Sequence, residues 1–202
     1  MKVWTKLNRG ALLTAIVLIG VIIYLAALSA ARRAELPQIQ ALAADYITAE
    51  AKYALLPAQY RAEQPQMGEA ARKQYLADMA GTLGAFYVQD EKIRQFNLNR
   101  LQQNLESQMR GEGMIYDYQK TIQKTDSVVY EKDLVKVIMT VNTVYDGPVS
   151  GANAGASRQK VVQGTQDTVV LQKEDGVWRV VYALLNTPGS NRYWSSGEVM
   201  YK

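Results

Sequence analysis

Two residue types are missing from this 202-residue chain: it has no cysteine and no histidine. Without cysteine there are no disulfides, no thiolate nucleophile and no lipid-modified cysteine after an apolar leader. Without histidine there is no Ser-His-Asp triad and no imidazole pH switch, and the two absences together remove Cys/His metal sites. Acidic residues are also missing from the first 34 positions, the earliest being Glu35. Five of the 23 basic residues, Lys2, Lys6, Arg9, Arg32 and Arg33, flank the first apolar stretch, which leaves 18 basic against 19 acidic residues from position 34 onward. The sequence pI of about 9.1 is therefore a property of the N-terminus. The rest of the chain has no basic cluster of the kind a nucleic acid would need.

Long hydrophobic runs are rare too, and the one exception dominates the chain. Gly10 to Ala31 reads GALLTAIVLIGVIIYLAALSAA, 22 residues without a charge. As a helix this run would be roughly 33 Å long, enough to cross the hydrocarbon core of a bilayer. The expected topology is a cytoplasmic tail (1–9), a transmembrane helix (10–31), a juxtamembrane linker (32–37), an extracytoplasmic domain (38–186) and a C-terminal tail (187–202). The short, wholly basic N-terminus favours this orientation. The competing reading is a cleaved signal peptide, for which Ala27, Ser29, Ala30 and Ala31 supply small residues. A signal peptide's apolar region is usually shorter than this one.

Beyond the span the periodicity changes once. Apolar residues recur at helical spacing from about Glu35 to Met109, then alternate from about Met114 to Leu185. The spacing predicts a first helix starting near Pro37 and ended by Pro57. A second runs from about Gly68 to Tyr87, with Gly81 and Gly84 either admitting a close backbone or weakening it. A third opens at the N-cap Asp90 and stops at Gly111 and Gly113. Four strands follow: 115–122, with a bent continuation through Tyr130; 134–145; 159–173; and 177–185. Glu174-Asp175-Gly176 makes the last hairpin turn, and the stretch from Gly147 to Ser157 is a small-residue loop. On strand four, Trp178, Val180, Tyr182 and Leu184 are placed on one face. The expected fold class is α+β: an N-terminal transmembrane helix, then about three helices packed on a curved four-stranded antiparallel sheet.

No spaced carboxylates suggest Ca²⁺, and no glycine-rich loop follows a strand. Asp90–Glu91 and Glu174–Asp175 read as a helix start and a turn. No serine sits in a strained, glycine-flanked turn that would suit a Ser/Lys dyad. No catalytic residue, metal ligand or cofactor is therefore assigned. The 13 tyrosines against two phenylalanines leave three readings open: a lined pocket, a protein-binding surface, or a core with hydroxyls at its edge. The candidate interaction or pocket residues are Tyr116, Tyr118, Trp178 and Tyr182, with Tyr193 and Trp194 in a tail that docks on its own domain or on a partner.

The segment LQKEDGVWRVVYALL, Leu171 to Leu185, resembles the final hairpin of the nuclear-transport-factor-2-like superfamily, a cystatin-like cone. The matching residues are Lys173, Glu174, Asp175, Gly176, Trp178, Arg179, Val180 and Val181, and the order of elements over 38–186 is compatible with it. On a single N-terminal anchor, this architecture resembles the bitopic assembly factor of type IV secretion and conjugation systems. That resemblance implies a non-enzymatic scaffold or accessory subunit in a bacterial cytoplasmic membrane, partnered by lipid, by other envelope subunits and by copies of itself. The alternative is a ligand-binding or sensory ectodomain with a pocket in the cone. A third reading, an anchored hydrolase or isomerase, would require a buried carboxylate with a raised pKa.

Overall fold

A computed structural model describes residues 9–148 and 158–186. The chain divides into two units, Met1–Ile39 and Gln40–Lys202. From Arg9 onward the first unit lies on α1 (Arg9–Lys52), a helix of 44 residues. Among the described residues α1 is the one helix long and apolar enough to cross a membrane, and no residue of its most apolar window is buried. Ile16 and Ile22 are 59% and 64% exposed. The break expected at 32–37 is absent, and the two helices separated in the sequence reading are one. Pro37 sits inside α1; it lacks the N–H for one intrahelical bond, and the helix runs on through it.

The second unit is α+β, as the periodicity predicts. Its helices are the C-terminal part of α1, a short 3-10 turn (Ala58–Tyr60), α2 (Glu69–Gly84) and α3 (Glu91–Met109). Asp90 caps α3, its Oδ1 accepting from the backbone N–H of Lys92 at 2.9 Å and of Ile93 at 3.1 Å. The strands are β1 (Asp117–Glu131), β2 (Leu134–Pro148), β3 (Arg158–Glu174) and β4 (Val177–Leu184). They form one antiparallel sheet in the order β1-β2-β3-β4. Asp175 and Gly176 both take positive φ, 48° and 81°, as a two-residue hairpin turn between β3 and β4 requires.

Alternation decides which sheet face is inward. Val135, Val137, Met139 and Val141 of β2 are buried, as are Val169 and Leu171 of β3. From α1, Ala43, Tyr46, Ile47 and Glu50 are buried at helical spacing. Two bulges interrupt β1, between Ile122 and Lys124 and between Thr125 and Ser127. They lie where the sequence reading lets the strand bend, and it continues through Tyr130 as expected.

A third bulge corrects the face assigned on β4. Val170 pairs with Tyr182 but Leu171 pairs with Val180, so Val181 is the extra residue. Inward side chains are Trp178 and Val180 before the bulge, then Val181, Ala183 and Leu185 after it. Tyr182 and Leu184 therefore do not share a face with Trp178, because one inserted residue flips everything beyond it. The close approach considered at Gly81 is also absent, since a Cβ there would meet nothing within 4 Å, and at Gly84 only a side-chain carbon of Arg94 at 3.9 Å.

Candidate functional site

Four of the 13 tyrosines lie in the helical part of the second unit with their hydroxyls hydrogen-bonded. Tyr46 donates to Glu50 Oε2 at 2.7 Å, and its oxygen lies 2.9 Å from the Tyr87 hydroxyl. Arg100 donates to Glu50 Oε1 at 2.8 Å, with the Glu50 side chain 1% exposed. Tyr53 donates to Asp78 at 2.6 Å, and Tyr75 to the backbone carbonyl of Leu55 at 2.6 Å. Burial, reinforced by the Glu50 charge, pushes the Tyr46 and Tyr87 hydroxyls well above their ordinary pKa. Tyr75 is pushed up to about 12, first by burial. These rings are core residues with bonded hydroxyls, one of the three readings the sequence leaves open.

The four described candidate residues are not one constellation. Tyr116 stacks under the guanidinium of Arg158, 4.1 Å from its ring centroid, while Arg158 forks onto Asp146. Tyr118 is buried and donates to the backbone carbonyl of Asn186 at 3.3 Å. Trp178 is 8% exposed beside the terminal hairpin, with the Lys173 ammonium 5.6 Å from its ring. Tyr182 points the other way, beyond the bulge. In sheet register Tyr118 stands opposite Tyr145, which pairs with Val161, whereas Trp178 pairs with Lys173. The two positions lie twelve residues apart along β3. Tyr193, Trp194 and residues 149–157 of the small-residue loop lie outside the described residues.

What the sequence reading missed is a polar region on the inner face. Going along the sheet from Val135 and Leu171, the inward positions are apolar as far as Val141 and Val169. They then change to Asp167, Thr165 and Gln163 on β3, Thr143 and Tyr145 on β2, and Lys120 and Tyr118 on β1. Lys120 and Asp167 form an ion pair whose side chains are 1% and 0% exposed. The other Asp167 oxygen accepts from the backbone N–H of Asn186 at 2.8 Å. The Thr143 and Thr165 hydroxyls are buried without a hydrogen-bond partner. Burial pushes the neighbouring Tyr145 hydroxyl up to about 12, with the Asp146 charge adding to it. A buried ion pair beside two unpaired hydroxyls costs the fold several kcal/mol relative to apolar packing.

The carboxylate pairs noted in the sequence are structural. Glu91 pairs with Arg94 and accepts from Gln95, and Glu174 accepts from the backbone N–H of Gln89 at 2.9 Å. Among the described residues no three His, Cys, Asp or Glu side chains come together as a metal site would need. No protein-family model matches the chain, and no curated protein is detectably similar to it.

Proposed function

We propose that the protein is a single-pass subunit of a bacterial envelope complex, with its N-terminus in the cytoplasm and its α+β unit on the outer side. Its role is to scaffold other membrane subunits, without chemistry of its own. The observation that carries this reading is the first part of α1. A helical surface of Leu, Ile and Val side chains, each at least 47% exposed, has to be covered by lipid or by another apolar surface. Anchoring the second unit at a membrane confines it near its neighbours and raises its effective concentration there. The polar groups of the helical core support the same reading. Glu50 accepts from both Tyr46 and Arg100, and the Tyr46 hydroxyl also bonds that of Tyr87, an arrangement suited to holding a shape. A span followed by an α+β unit is also the layout of the type IV secretion assembly factor that the sequence resembles.

The test is crosslinking in native membranes, followed by mild detergent extraction and mass spectrometry. Stoichiometric recovery with other membrane subunits is the expected result. Recovery of the chain alone, under conditions that preserve known complexes, refutes the assembly role.

A further inference from the structure

We infer that the polar part of the sheet's inner face is a binding site for a small uncharged polyhydroxyl molecule, a sugar or its acetamido derivative. The inference goes beyond the assembly role and stands or falls separately from it.

The argument starts from unused hydrogen-bonding capacity. Lys120 carries three ammonium N–H groups on a side chain 1% exposed, and the one hydrogen bond it makes among the described residues is to Asp167. Its lateral neighbour on β2 is Thr143, 1% exposed, whose hydroxyl has no partner. Thr165 stands two residues along β3 from Gln163, the residue paired with Thr143, and its hydroxyl is also unpartnered. The register therefore brings together two ammonium donors and two hydroxyls, each of which can donate and accept. Buried polar atoms are rarely left unpaired in a folded chain. Two such hydroxyls, on neighbouring strands and one face beside a lysine with donors to spare, therefore point to a ligand.

Charge selects the class of ligand. Asp167 already neutralises Lys120, so an anion entering here would bring a second negative charge into a dry site with no cation free to meet it. An uncharged ligand avoids that cost. Its oxygens would accept from Lys120, and its hydroxyls would exchange hydrogen bonds with Thr143 and Thr165. Two aromatic rings adjoin the cluster: Tyr118, buried, and Tyr145, half-buried. Aromatic faces beside fixed polar groups suit the mixed C–H and O–H surface of a sugar. The half-buried Thr165 and the exposed Gln163 mark the side from which it would enter.

The probes are N-acetylglucosamine and glucose, with acetate as the anionic comparison. The full chain is reconstituted in lipid nanodiscs, and the methyl resonances of Ile122 and Val141, inward neighbours of the cluster, are followed by NMR. The expected result is a saturable shift with at least one sugar and none with acetate. In Thr143→Val/Thr165→Val the affinity should fall by about tenfold or more, the loss of one to two hydrogen bonds. The same variant should unfold at an equal or higher denaturant concentration, because valine fills the site without a hydroxyl to satisfy. A purely structural pair of threonines would not combine lost binding with retained stability. No shift with either sugar, a shift with acetate instead, or unchanged affinity in the double variant overturns the inference.

Discussion

Replacing Arg100 with methionine should unfold the second unit more readily than any surface change, and the size of the effect follows from what is left behind. Glu50 is 1% exposed. One of its oxygens accepts from Arg100 and the other from Tyr46. The methionine keeps most of the aliphatic stem but removes the only cation bonded to that carboxylate among the described residues. Removing one partner of a buried ion pair costs about 3–5 kcal/mol. For a unit of this size each kcal/mol is worth roughly 2–4 °C, so the melting temperature should fall by about 6–20 °C. The assay is thermal and urea unfolding of the full chain in detergent, followed by circular dichroism. One control sharpens it. Arg100→Met combined with Glu50→Leu should recover most of the loss, since the cost comes from the stranded charge. A loss below about 1 kcal/mol, or a double variant as unstable as the single one, would refute the reasoning.

Smaller perturbations test other parts of the same argument. Asp90→Ala removes the acceptor for two N–H groups at the start of α3 and should cost about 1 kcal/mol by urea unfolding. Gly111→Ala should be worse than Gly176→Ala. Both glycines have positive φ, but a Cβ at Gly111 would lie 2.9 Å from the carbonyl oxygen of Glu63, while at Gly176 it meets open space. The common backbone penalty is roughly 1–2 kcal/mol, and the difference in denaturation midpoints reads the clash. Stability should also decline in alkali. The tyrosines at 46, 75, 87 and 145 have folded pKa values above their ordinary value of 10. Their contribution is complete below pH 10 and is lost as the pH rises towards the folded values. Tyr46→Phe/Tyr87→Phe should flatten that alkaline slope, and an unchanged slope would show that these two hydroxyls do not titrate with unfolding.

The contrast between what the sequence disclosed and what it hid has a physical basis in range. Local rules carried the strand alternation, the Asp90 cap and the Asp175–Gly176 turn, because each depends on residues within a few positions of one another. The continuity of α1 through Pro37 was hidden because a proline there is compatible with either a helix start or a tolerated interior position. The face switch on β4 was hidden because Val180 and Val181 are both apolar, so the bulge leaves no trace in the pattern. The Lys120–Asp167 pair spans 47 positions and appears only when β1 and β3 are placed on either side of β2. Yet one sign was present. The inward residues of β2 read Val, Val, Met, Val and then Thr, and on β3 a run of apolar residues gives way at Asp167, Thr165 and Gln163. Each substitution alone is unremarkable in a strand. Taken in register they fall on neighbouring strands and the same face, which ordinary packing would fill with valine. Burying this polar cluster costs stability that apolar side chains would supply, binding gives a reason to bear that cost, and the Thr→Val pair separates that explanation from chance.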